Sequence, residues 1–378
     1  MTFTTLALIV AVGMLGPLFA ARKSWRVPVV VGELFAGIVI GKTALNWIDP
    51  EDPTLAFLAD TGFGLTMLVI GSQVPVRDRE VRAVLGRGAL GAVAVGIIGA
   101  GLGTLISLWF GTGHAALYGV LLSSSSAALV LPILQSLDIS QGKIAQLIAQ
   151  IAIADIVCIA ALPLVIVPSR APIAALGAIA MGAFAVALTF AVRFAGRQGW
   201  TRRLHRLSES REFALEMRIS VLILCLLAAI AQATHVSVML AGFALGLVLA
   251  RIGQPRRLAR QLFGVTEGFL GPLFFVWLGA SISLRELAEH PDKILLGVAL
   301  AGGAVVAHLA ARTVGLPWMQ AVASSGQLGI PLAAVALGIE TSSLAPGEGA
   351  GILLGALLTV AVSAVAAGRV RIPATKDR

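Results

Sequence analysis

The run AQLIAQIAIADIVCIAALPLVIV, residues 145–167, is an apolar stretch with one carboxylate, Asp155, close to its middle. About 20 mostly apolar residues cross the hydrocarbon core of a bilayer as a helix, so the stretch is predicted to span a membrane. Placing an acid there costs roughly 2.5–3.5 kcal/mol on insertion scales. A cost of that size makes Asp155 the leading functional candidate, because ionisable groups within spans face bundle interiors and ion paths rather than lipid.

The rest of the chain has the same character. Of its 378 residues, 58% are hydrophobic and only 12% charged, against about 25% charged in soluble domains. This composition predicts a polytopic membrane protein and excludes a soluble one. The first apolar run, from residue 2, lacks a basic leading segment and a clear small-residue cleavage site, so a retained helix is expected rather than a signal peptide. Cys158 and Cys225 both lie in apolar runs and read as small buried hydrophobes, not as a disulfide or a metal site.

Cutting the chain at its polar, Pro-rich and Gly-rich breaks gives about thirteen segments of spanning length. The longest polar insertion, residues 193–212, follows the seventh. The predicted fold is therefore an all-α polytopic membrane protein with two six-helix repeats, 1–167 and 213–378, joined by a linking helix and basic loop at 168–212. An odd linking helix makes the second repeat inverted relative to the first, an arrangement many transporters share. Charge gives the orientation. Counting loops alternately, the Lys and Arg residues gather on one side, and only Lys42, Arg170, Arg285 and Lys293 fall on the other, with Arg218 near a helix end. Basic loops are cytoplasmic, which predicts a multi-pass protein of the inner or plasma membrane with its N-terminus outside and its C-terminus inside. The net charge of +9 follows from that bias and calls for no nucleic-acid partner.

The fifth segment of each repeat carries a matched pattern. LSSSSAALVLPIL (122–134) and ASSGQLGIPLAAV (323–335) both place a serine seven residues before a proline: Ser125 before Pro132 and Ser324 before Pro331. Proline removes a backbone hydrogen bond and disfavours the preceding turn, so each segment can unwind. The freed carbonyls and the hydroxyls of Ser124, Ser125, Ser126 and Ser325 are oxygen ligands suited to a small cation. Small residues also serve close helix packing. The matched positions, one of them immediately before the Asp155 helix, favour crossing interrupted helices beside an ion site.

Five stretches in order resemble the cation:proton antiporter superfamily, the branch that includes bacterial sodium/proton antiporters and Kef-type potassium efflux systems. They are VPVVVGELFAGIVIGKTAL (27–45), LADTGFGLTMLVIGSQVPVRDRE (58–80), LSSSSAALVLPIL (122–134), GFLGPLFFVWLGASISL (268–284) and SSGQLGIPLAAVALG (324–338). The resemblance implies a dimerisation bundle and a core in which two interrupted helices cross beside a carboxylate helix. It places Asp155 at the ion- and proton-binding aspartate and Ser125 and Ser126 in the hydroxyl-bearing stretch, with Ala127 where the family has Thr. Gln327 falls near an acid of Kef-type members. A homodimer in membrane lipid, with monovalent cations and protons as substrates and no cofactor, is implied with it.

The chain also departs from the family. Electrogenic members have paired aspartates and a lysine in the tenth helix, whereas here Ala154 precedes Asp155 and residues 271–283 contain no lysine. The expectation is exchange of Na⁺ or K⁺ for H⁺ at a single buried aspartate, without net current. Because the chain ends shortly after its last apolar run, a nucleotide-binding regulatory domain is expected to be absent, and any such regulation to need a separate subunit. Two other readings are a potassium efflux module of that kind and a sodium-coupled solute symporter. Glu33 is the second acid within a span, as a functional group or as a contact at the bundle interface. Asp60 and Glu267 are expected near helix ends, Gln146 and Gln150 on one helical face away from Asp155, and His308 as a packing histidine. The chain has no CxxC, HExxH, GxSxG or Walker-type sequence, so no enzyme is expected.

Overall fold

The structure, a computed structural model, describes residues 1–21, 29–42, 44–74, 76–126, 144–211, 213–234, 236–253, 256–282 and 284–370. Every regular element among them is helical. Nine of these helices are long and apolar enough to cross a membrane. Val29–Ile40, Val238–Ile252 and Gly329–Thr341 are shorter apolar helices. The protein is thus an all-α polytopic membrane protein. Ala115–Ser123 opens the fifth expected segment, whose continuation with Pro132 lies outside the described residues.

Helix starts follow local chemistry. Asp52 accepts from the backbone N–H groups of Thr54 and Leu55, and Pro53 opens Pro53–Gln73. Ser237 caps Val238–Ile252 by accepting from Met239. Both satisfy donors that a helix leaves unpaired at its first turn.

Two expectations change. Residues 193–212, read as a loop, contain the helix Trp200–Ser210; its apolar Trp200 and Leu207 lie seven apart on one face, the spacing of an amphipathic helix suited to an interface. Glu267 is not at a helix end. It sits in the π-helical turn Thr266–Leu270, with Arg256–Val265 before it and Gly271–Ser281 after it. Arg256, Arg257 and Arg260 belong to the amphipathic part of the chain that leads into this turn.

Chain packing divides into two compact units, Met1–Arg77 with Pro168–Ile282, and Asp78–Val167 with Ser283–Arg378. These are units of packing, whereas 1–167, 168–212 and 213–378 are units of sequence, and that division remains a proposal.

The first unit is held by glycine contacts. A Cβ at Gly242 would stand 2.0 Å from the Gly64 carbonyl oxygen, so Val238–Ile252 and Pro53–Gln73 meet backbone to backbone. Val29–Ile40 and Gly271–Ser281 meet in the same way: a Cβ at Gly37 would be 2.1 Å from the Val276 oxygen, and one at Gly279 2.2 Å from that of Leu34. Lipid supplies no hydrophobic drive between helices, so close van der Waals contact does the work, and small residues permit it. Phe63 stacks on Phe274 at 4.4 Å between centroids, and the Trp277 indole donates to the Pro50 carbonyl at 2.9 Å.

In the second unit, Leu85–Phe110, Ala145–Ile166, Pro291–Leu309 and Glu348–Ala367 surround the short helices Ala115–Ser123, Trp318–Ala323 and Gly329–Thr341. Glu348, fully buried, accepts from the Tyr118 hydroxyl and from His114 Nδ1, each at 2.7 Å, and from the Ala345 N–H at 2.9 Å. The N-terminal end of Ala115–Ser123 is thereby tied to the start of the last helix. The hydrogen bond to Glu348 holds His114, in the loop before its helix, above the usual histidine pKa. A group whose pKa is raised on folding contributes stability fully present below its unfolded value and lost as pH rises through the folded one. Raising the pH from below the ordinary histidine value of about 6.5 through the raised folded value should therefore lower the thermal midpoint of the solubilised protein by the equivalent of about 1 kcal/mol. His114→Gln should flatten that part of the profile; an unchanged slope would remove His114 as its source.

Candidate functional site

The site is built around the helix Ala145–Ile166, which packs against Ala115–Ser123 on one side and Gly329–Thr341 on another. Asp155 lies near its middle with 6% exposure. The carboxylate therefore sits on a helix flanked by two short helices, each bordering a break.

The first break begins where Ala115–Ser123 ends. Ser124 is extended, with φ −74° and ψ 149°, and Ser124, Ser125 and Ser126 are all buried. Ser124 Oγ donates to the Leu121 carbonyl at 2.9 Å, which closes one of the acceptors a helix leaves open at its C-terminus.

The second break lies between Trp318–Ala323 and Gly329–Thr341. It repeats the device: Ser324 Oγ donates to the Ala321 carbonyl at 2.7 Å and Ser325 Oγ to that of Val322 at 2.8 Å. Pro331 is not at the break itself. It occupies the first turn of Gly329–Thr341, where a missing N–H costs nothing, so it starts a half-helix rather than kinking a continuous one. The Gln327 N–H donates to Thr359 Oγ1 at 3.2 Å, and Ser363 Oγ to the Ala323 carbonyl at 2.6 Å. The last helix thus braces the second break through two residues four apart on one face. The side-chain Nε2 of Gln327 is buried and meets no acceptor among the described residues.

The second packing unit holds Asp155, Ser124, Ser125, Ser126, Ser325, Gln327 and Pro331; Glu33 belongs to the first unit, where it is 3% exposed against Gly16. Gln146 Nε2 donates to the Val314 carbonyl at 3.1 Å, and both polar atoms of Gln150 lack partners among the described residues. Cys158 is buried as expected, whereas Cys225 is exposed.

Residues 7–368 match the family model described as sodium/hydrogen exchanger, transmembrane. The chain belongs to the transmembrane sodium/hydrogen exchanger family. Within its reach are the glutathione-regulated potassium-efflux system proteins KefC of Salmonella typhi and of Salmonella newport (strain SL254). Each is 30% identical over 302 residues, which is 77% of this chain and 47% of the relative. The chain spans about half the length of these curated relatives. Its fold is similar to that of the sodium proton antiporter MjNhaP1 from Methanocaldococcus jannaschii, with TM-score 0.66, 17% identity, and coverage of 97% of this chain and 95% of that one.

For this exchanger-family chain, sequence reasoning missed Thr359 and Ser363 at the second break, and the contact of Tyr118 and His114 with Glu348. Thr359 and Ser363 carried a signal, since two hydroxyls four apart on an apolar span share one helical face. Tyr118 and His114 carried none, because their meeting with Glu348 joins residues more than 200 positions apart.

Proposed function

We propose that this protein exchanges a monovalent cation for a proton by alternating access at Asp155. The observation that carries this reading is a buried carboxylate on a spanning helix packed against two half-helices: Ala115–Ser123, which ends in buried serines, and Gly329–Thr341, which follows a break whose serines cap Trp318–Ala323. Proton and cation compete for the one carboxylate, and each neutralises it. The loaded forms cross, and the bare anion is held back by the cost of an unpaired charge in low dielectric. Ser125, Ser126 and Gln327 line the cation's side of that competition, with Ser124 and Ser325 behind them. Glu33 serves the packing of the first unit.

Because Ala154 precedes Asp155 and Gly271–Ser281 carries no lysine, one cation should leave for each proton that enters, with no net charge moved. Reconstituted vesicles should show proton flux driven by a Na⁺ or K⁺ gradient at a rate unaffected by an imposed membrane potential. A several-fold response to potential would refute the one-to-one stoichiometry, and no flux with either cation would refute exchange. Parallel Na⁺ and K⁺ titrations decide which ion is carried; carboxylate, hydroxyl and carbonyl oxygens suit both. The same reading places the protein as a homodimer in the inner or plasma membrane, N-terminus outside and C-terminus cytoplasmic.

A further inference from the structure

At the two breaks, three of the serines direct their protons to backbone carbonyls: Ser124 to Leu121, Ser324 to Ala321 and Ser325 to Val322. A hydroxyl that has given its only proton presents lone pairs alone to its remaining surroundings. Ser125, at the first break, is held differently. Its Oγ lies 3.0 Å from Nε2 of His308, on Pro291–Leu309, and the two residues are 2% and 0% exposed. The other ring nitrogen, Nδ1, lies 2.9 Å from the Ala304 carbonyl oxygen.

A carbonyl oxygen has no proton to give, so Nδ1 must carry the hydrogen of that contact. In the neutral imidazole this leaves Nε2 with a lone pair only, and the proton between His308 and Ser125 belongs to the serine. The Ala304 carbonyl thus selects the tautomer, and the tautomer fixes the direction of the Ser125 hydroxyl.

We infer that His308 is a positioning residue for the transported cation: by drawing the Ser125 proton away from the break, it keeps that oxygen's lone pairs turned toward the ion. His308 does for Ser125 what the carbonyls of the preceding turn do for Ser124, Ser324 and Ser325. A hydroxyl whose hydrogen can swing toward a cation must be reoriented before it can bind, and binding weakens by that cost. Rigid placement by packing and outer hydrogen bonds is the usual way a first ligand is kept ready. The inference rests on the proposal that the breaks flank the ion site.

The test is cation-driven proton flux in reconstituted vesicles, titrated with Na⁺ and with K⁺ for the wild type, His308→Leu, His308→Gln, Ser125→Ala and the double variant His308→Leu with Ser125→Ala. Losing one oriented ligand should raise the cation KM about tenfold, the equivalent of one hydrogen bond. His308→Leu and Ser125→Ala should each show that rise with maximal rates within about twofold, and the double variant should show no further rise, since both remove the same contact. His308→Gln, whose amide oxygen can accept the serine proton, should restore KM to within about twofold of the wild type. A wild-type KM in His308→Leu, or singles whose effects multiply in the double variant, would overturn the inference. So would a glutamine variant no better than leucine. If the leucine variant does not yield monodisperse protein, His308→Asn takes its place. Its shorter amide can serve Ala304 but not Ser125, so it should show the raised KM, and a wild-type KM there is equally fatal. Absence of flux in the wild type would instead refute the parent reading.

Discussion

Asp155→Asn should reduce cation-driven proton flux to the level of protein-free vesicles while leaving the protein folded. Asparagine keeps the size and polarity of the side chain, so the packing of Ala145–Ile166 against its neighbours has no steric reason to change. What disappears is the titratable oxygen and its charge. Without the proton site there is nothing to exchange, and without the negative charge a cation in a desolvated site loses its counter-ion. Removing one partner of a buried charge pair costs about 3–5 kcal/mol, a factor of a few hundred to a few thousand in occupancy. Substituting a serine at the breaks, at about tenfold, is small beside this. Flux and thermal stability should be measured on the same preparation. Substantial exchange in a well-folded Asp155→Asn protein would move the carrier role elsewhere, with Glu33 the next carboxylate to test.

The second large effect is structural. Gly242→Leu should prevent recovery of folded protein, or lower its thermal midpoint by well over ten degrees, because the new Cβ would lie 2.0 Å from a backbone oxygen, that of Gly64. Two opposed terms decide the sign. Replacing glycine inside a helix gains about 1 kcal/mol of helix propensity. Forcing apart helices that touch through backbone costs several times more, since overpacking alone typically costs 1–3 kcal/mol even where side chains can yield, and here the obstacle is main chain. Gly182→Leu is the internal control. A Cβ there meets nothing within 4 Å, so only the propensity gain applies and the midpoint should hold or rise. Equal behaviour of the two variants would show that the glycine contact between Val238–Ile252 and Pro53–Gln73 is not what holds them together.

The amino-acid sequence by itself determined the class of the protein and the outline of its helices. Lipid demands long apolar runs with every backbone group paired within the helix, a requirement written locally and therefore readable from runs such as 145–167. It also singled out Asp155, because a lone acid among apolar residues is a local anomaly, and it marked both serine-proline segments as places where a helix can end. The tertiary structure decided where the second segment ends: at 324–328, with Pro331 opening the next half-helix. Either proline can kink a helix or begin one, and only the path of the neighbouring chain selects between these. Tertiary structure alone also gave Ser125 its proton acceptor 183 positions away, brought His114 and Tyr118 to Glu348, and made Gly64 and Gly242 a backbone contact rather than isolated small residues. Hydrogen bonds and close approaches between distant segments leave no periodicity in the sequence, since each partner satisfies its own helix equally well without the other; they exist only once the helices are packed.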